Sequence, residues 1–398
     1  MRFRCSQVPV AAILAALPVL WGGCAREGRL AGTGQTSCYD ARARIDCPAP
    51  GTLFSGQDAQ HPGPALHYQD NGDGTVTDVV TGLTWTRAAW PELTWEEALA
   101  LAGTLTLGGR SDWRLPDVKE LYSLMDFRGY FGPTAAESTP FLDTELFELT
   151  YQPDVGPLPG QRFFDVQEWS STEYVGRIMH GDAAVFGVNF ADGRIKAYPR
   201  LQPGRPGGPP AAMFARFVRG NPGYADGTYS IGGEETVQDQ ARGLTWQRRD
   251  DGVQRTWSEA LAYCQDLDLA GTADWRLPNA KELQSLADYS RAPAATGTAA
   301  IPPGFEVSAV ESYFWSSTTL LDGPPDLRAS RAVYVAFGRA LGWMEVPPGS
   351  GNRELLDVHG AGAQRADLKE GDPSAYPYGF GPQGDDVRIR NFVRCVRP

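Results

Sequence analysis

Three hydrophobic patterns follow one another along the chain, and each predicts a different element. The first is an unbroken apolar run from Val8 to Trp21, preceded by Arg2 and Arg4 and closed by Gly22-Gly23-Cys24. A positive start, an apolar middle and small residues at the end predict a secretory signal peptide over residues 1–23. The run is shorter than the ~20 residues a membrane-spanning helix needs. The second pattern is helical. Thr94 with Glu97, and Thr256 with Glu259, have capping-box spacing, so a helix is expected to start at each, with Ala98, Leu99 and Ala102 inward in the first. Asp117 with Glu120 and Asn279 with Glu282 repeat the signal, ahead of Leu121 and Leu124 or Leu283 and Leu286 on the core side. The third pattern is alternation, in Ala184–Phe190 and Ala332–Phe337, which reads as strands. Helices followed by antiparallel strands make an α+β fold.

These elements occur twice because the chain contains itself twice. Gly82-Leu83-Thr84-Trp85 returns as Gly243-Leu244-Thr245-Trp246, and Thr94-Trp95-Glu96-Glu97-Ala98-Leu99 as Thr256-Trp257-Ser258-Glu259-Ala260-Leu261. Trp113-Arg114-Leu115-Pro116 returns as Trp275-Arg276-Leu277-Pro278, and Trp169-Ser170-Ser171-Thr172 as Trp315-Ser316-Ser317-Thr318. Arg216-Phe217-Val218-Arg219 matches Arg394-Cys395-Val396-Arg397. Five blocks in one order define two domains, 66–220 and 221–398, each large enough for its own core. Residues 24–65, rich in Gly, Pro, Ser and Thr, read as a flexible stalk. Between the Trp-Arg-Leu-Pro and Trp-Ser-Ser-Thr blocks the offset falls from 162 to 146, so copy one is 16 residues longer there. Later, copy two gains 31 residues around Pro347 to Asp386, which read as a surface loop, either carrying recognition or merely tolerated.

Cysteine placement adds two pairings. Small residues before Cys24 predict a lipoprotein signal in which Cys24 is lipidated, although Trp21 stands where Leu is usual; simple secretion is the alternative. Cys38 and Cys47 are expected to close a small loop in an oxidising compartment. Aligning the copies sets Cys264 against Ala102 and Cys395 against Phe217, so one copy has both cysteines and the other neither. That predicts a Cys264–Cys395 disulfide, with a large Phe opposite a small Ala filling the space in copy one.

Charge then narrows the partners. A net charge of −12 argues against nucleic acid and other polyanions. Asp70, Asn71, Asp73 and Asp78 alternate oxygen ligands with Gly72 and Gly74, which suits calcium. Thr81, however, stands where a complete loop would carry Glu, and copy two retains only part of the pattern over Ile231–Asp239. The competing reading is a hairpin turned by Asn-Gly and Asp-Gly. The repeated serines have no nearby histidine in sequence, and His61, His67, His180 and His359 do not recur between copies. The blocks therefore read as core rings with buried hydrogen bonds, and Arg114 and Arg276 as partners of a carboxylate. No catalytic residue is expected, and no cofactor beyond calcium as a candidate. The copy-specific aromatics Trp90, Tyr130, Trp343, Tyr376 and Tyr378 are candidates for a glycan-stacking or protein-contact face.

Taken together, Asp-Asn-Gly-Asp-Gly leading to Thr-Gly-Leu-Thr-Trp, then the Thr-Trp-Glu-Glu, Trp-Arg-Leu-Pro, Trp-Ser-Ser-Thr and terminal Arg-Cys-Val-Arg blocks, resemble one bacterial family. It is named after the C-terminal domain of the Legionella collagen-like protein. The resemblance spans both copies, from about residue 66 to the end, with more distant similarity to formylglycine-generating enzymes and C-type lectin-like folds. It implies two tandem C-type-lectin-like domains in an adhesion lipoprotein on the cell surface or outer membrane, with periplasmic or secreted placement as alternatives. The implied partner is an extracellular glycan or protein, with the membrane engaged only through the lipid anchor. In the naming protein the domain binds sulfated glycosaminoglycans, which the acidity of this chain does not suit. The cysteine pair of the enzymes and the calcium-and-sugar signatures of C-type lectins are absent from the sequence. An enzyme of that type, or a structural envelope protein without ligand, are the rival expectations.

Overall fold

The computed structural model describes residues 30–151, 162–202, 208–381 and 383–398. The signal peptide and Cys24 lie outside the described residues. All four capped helices form. In Trp95–Ala102, Thr94 Oγ1 accepts from Glu97 N at 3.2 Å while Glu97 Oε2 accepts from Thr94 N at 2.9 Å. Trp257–Gln265, Val118–Ser123 and Ala280–Ser285 start with the same reciprocal pair. The inward stripe of the first helix is Trp95, Ala98 and Ala102, whereas Leu99, expected inward, is 39% exposed. Leu99 sits one residue, about 100° of rotation, past Ala98, which turns it off the buried face.

The repeated blocks lock each copy in the same way. Trp95 Nε1 donates to Ser170 O at 2.9 Å, and Trp257 Nε1 to Ser316 O at 2.8 Å. Ser170 Oγ donates to Phe186 O and Ser316 Oγ to Val333 O. Thr172 and Thr318 hydroxyls accept from the first backbone N–H of the short helix that follows each Trp-Arg-Leu-Pro block, at Val118 and Ala280. Arg114 clasps Glu120, and Arg276 clasps Glu282, through both guanidinium nitrogens. The buried Arg216 and Arg394 each donate to three backbone carbonyls. Both expected disulfides, Cys38–Cys47 and Cys264–Cys395, are present. Opposite the second, Ala102 and Phe217 share one buried cluster in copy one.

The fold is α+β and mostly sheet. Each copy carries a four-stranded sheet that includes its terminal block, Val218–Arg219 or Val396–Arg397. Between them runs one eight-stranded sheet common to both copies. Its strands lie in the order Tyr313–Leu320, Arg331–Ala336, Gln364–Leu368, Arg194–Pro199, Ala184–Asn189, Glu168–Glu173, Ala212–Ala215 and Trp90–Thr94. The copies meet where Gln364–Leu368 pairs antiparallel with Arg194–Pro199, Gln364 facing Ile195. The seam pairs strands that are not counterparts in the repeat, but one pair of contacts between the copies is reciprocal. Lys119 Nζ donates to Ser285 O at 2.9 Å, and its counterpart Lys281 Nζ to Ser123 O at 2.7 Å.

Three further sequence expectations change. Each copy keeps a cluster of its own, but the largest core joins Leu121, Phe141 and Phe186 of copy one to Ala280, Leu320 and Val333 of copy two. The stretch expected as a free stalk is packed from Leu30 onward. Gln35 bonds Phe127 O and both backbone groups of Thr319, Asp58 accepts from Thr318, and Lys281 and Lys369 donate to Gly32 O and Asp40 O. Its polar composition is spent on buried hydrogen bonds rather than on solvent. Finally, the 347–386 insertion is more than a loop. It holds the strand Arg353–Asp357, paired with Leu341–Glu345, and the strand Gln364–Leu368, third of eight in the shared sheet and the copy-two side of the seam.

Candidate functional site

The calcium candidates fall on one hairpin. Asp70 and Asp78 lie on the two arms of a hairpin, Tyr68–Asp70 and Thr75–Asp78, in which Tyr68 faces Asp78 and Asp70 faces Val76. Each side chain is engaged locally. Asp70 pairs with Arg87 at 2.7 Å, Asn71 donates to Thr75 and Thr77, Asp73 accepts from Thr75, and Asp78 accepts from Val80 N and Thr81 N. The four do not converge, and among the described residues no group of three or more His, Cys, Asp or Glu is placed to hold a metal. The hairpin reading describes the segment.

Two hollows lie side by side near the seam instead. The shallower one, about 500 Å³, is walled by copy two's extra hairpin and by the loop after the seam strand, with His180 of copy one at its rim. It gathers three of the copy-specific aromatics. The Trp343 and Tyr378 rings meet edge-on at 5.8 Å, Tyr376 lines the same wall, and the Arg353 guanidinium stands 5.1 Å over Tyr378. Tyr378 is 53% exposed, an unusual position for a large ring. Close apposition of two backbones shapes this wall: Trp343 N donates to Gly384 O, and a Cβ on Gly384 would lie 2.6 Å from Trp343 O. Trp90 and Tyr130 are elsewhere, Trp90 against Phe217 and Tyr130 donating to Gly323 O.

The deeper hollow, about 520 Å³, opens at the seam itself and takes residues from both copies. Arg194 and Lys196 reach it from copy one, and Asp322, Arg365 and Asp385 from copy two. Arg194 pairs with Asp322, and Arg331 approaches the same carboxylate at 3.5 Å. Arg365 pairs with Asp385, whose other oxygen accepts from His359 Nε2 at 2.7 Å. A carboxylate can only accept, so the His359 proton lies on Nε2. Burial pushes the His359 ring down to about 4, leaving it neutral. Although burial opposes it, Arg365 and His359 hold Asp385 well below the usual carboxylate range. This chain of three ties the loop carrying Gln383 to the seam strand.

The family described as the Lcl C-terminal domain matches residues 74–205 and, again, residues 235–350. The chain belongs to the Lcl C-terminal domain family. No curated protein and no solved structure matches this chain. The first Lcl C-terminal domain segment includes Arg194 and Lys196, while the second ends before Arg365, Tyr376, Tyr378 and Asp385. Both hollows are thus completed by chain that lies beyond the matched segments. The buried charges of the deeper one were missed in the sequence, because a strand spelled Gln-Arg-Ala-Asp-Leu reads as solvated surface. The one available signal was Lys196, a lysine in the run Arg194–Pro199 that follows directly on an apolar strand.

Proposed function

We propose that this protein is a non-catalytic binding module, exported and lipid-anchored through Cys24, that displays its two domains at the bacterial surface for adhesion or ligand capture. The reading rests on one observation above the rest: the insertion peculiar to copy two sets Tyr376, Tyr378 and Arg353 beside Trp343 in an open groove. Exposed ring faces flanked by planar hydrogen-bonding groups suit the apolar faces and hydroxyls of a saccharide, and equally a protein loop. The net charge of −12 favours a neutral glycan or protein over a sulfated chain. A lectin-like reading of each copy agrees with the disulfide that joins the first helix of copy two to its terminal block. The four described cysteines are all in disulfides, which speaks against thiol chemistry of the formylglycine-generating type.

A glycan and matrix-protein array tests this, using the chain that starts after Cys24, with calcium and again with chelator. Binding retained in chelator and reduced about tenfold or more by Trp343→Ala with Tyr378→Ala is the expected result. Binding lost in chelator would return the Asp70–Asp78 hairpin to consideration. Silence under both conditions would overturn adhesion in favour of a structural envelope role.

A further inference from the structure

The deeper hollow is lined by four cations, Arg162, Arg194, Lys196 and Arg365, and four carboxylates, and their pairing leaves Lys196 and Asp192 incompletely engaged. Asp165 takes Arg162, Asp385 takes Arg365, and Asp322 is shared by Arg194 and Arg331. Asp192 approaches only Arg194, at 3.6 Å, and its Oδ1 has no partner among the described residues. Lys196 is left over. It is 8% exposed, and among the described residues no carboxylate lies within ion-pair distance of it. Of three ammonium donors, one is satisfied, by the neutral Gln383 amide oxygen at 2.9 Å, while the Tyr198 ring lies 4.5 Å away. An ammonium withdrawn from water on one neutral acceptor is costly to keep charged, and a counter-ion removes most of that cost. Burial, reinforced by Arg365 and only partly offset by Asp192 and Asp385, pushes Lys196 down to about 7.

We propose that the hollow at the seam binds a monovalent organic carboxylate with a flat apolar body, held by Lys196 and walled by Phe131, Phe164 and Phe380. Its volume of about 520 Å³ is in the range of small-molecule sites. Asp192, Asp322 and Asp385 line the same space, so a second negative charge on the ligand would be repelled. The site needs both copies, since Lys196 comes from one and Gln383 from the other. It is also distinct from the aromatic groove, although Gly381 and Gln383 line both.

Calorimetric titration of the chain starting after Cys24 with phenylacetate, and with phenylacetamide as its uncharged counterpart, is the test. The acid is expected to bind and the amide to bind at least about tenfold more weakly. Gln383→Glu places a carboxylate within the protein beside the Lys196 ammonium, and is expected to abolish acid binding while keeping or raising the melting midpoint. Lys196→Gln is expected to abolish it too. Equal affinity for acid and amide, unchanged affinity in Gln383→Glu, or no heat from phenylacetate at millimolar concentration each overturns the assignment. Trp343→Ala with Tyr378→Ala is expected to leave phenylacetate binding intact, which separates this site from the proposed adhesion groove.

Discussion

Asp58 is 2% exposed, its Oδ2 accepts from Thr318 Oγ1 at 2.5 Å, and burial pushes its carboxyl from 3.8 up to about 6. Between those values the folded chain keeps a proton that the unfolded chain has lost. The contribution of Asp58 to stability is therefore greatest below about 4 and falls as pH rises through about 6. Asp357, bonded by Tyr174 and also pushed up to about 6, acts in the same direction. His359 acts oppositely. Held neutral down to about 4, it adds stability above its unfolded value of 6.5, and this is lost as pH falls toward 4. The whole profile is a sum, so the difference between Asp58→Asn and the parent isolates one member. By chemical denaturation, that difference is expected to shift in favour of the variant by about 1–1.5 kcal/mol between pH 5 and pH 7.5. A difference flat with pH would mean that Asp58 is ionised in the fold. None of this was legible in the sequence, where Asp58 sits among Ser, Gly and Gln and looks solvated. Capping residues such as Thr94 and Asn279 were legible, because a cap depends on spacing within three residues of itself.

Elements set by local spacing are the ones the sequence discloses. The four capped helices and the alternating strands after each Trp-Ser-Ser-Thr block occur where expected. The seam strand Gln364–Leu368 was hidden, since its charges are neutralised by residues far away in the chain, Arg365 by Asp385 and Asp367 by backbone N–H groups of Arg388 and Ile389. The disulfide was visible only through comparison of the copies, and that comparison makes a prediction. Cys264→Ala is expected to cost about 2–5 kcal/mol by losing a closure over 131 residues. Adding Cys395→Phe imports the packing of copy one, where Phe217 meets Trp90 at 5.1 Å, and is expected to recover part of the loss. Thermal melts of the single and double variants check this. A double variant less stable than Cys264→Ala would show that the two copies solve the position with different surroundings.

At the scale of the whole molecule, the copies share a sheet, a core and the clasp formed by residues 30–65. Parts coupled this closely are expected to melt together, so calorimetry of the chain starting after Cys24 should show one transition with matching calorimetric and van't Hoff enthalpies. Two resolved transitions would restore the picture of independent domains. The duplication itself was legible; the joining was not, because each copy repeats its own blocks and no block spells the seam. Lys119 and Lys281 occupy the same place in their repeats, and each reaches across to the same serine carbonyl of the other copy. Reciprocal contacts of this kind are those that identical subunits make about a two-fold axis. Here both partners lie on one chain, so this pairing does not depend on concentration and persists at any dilution. Two linked halves need not be identical, and the two hollows lie where they differ, lined by residues of the copy-two insertion.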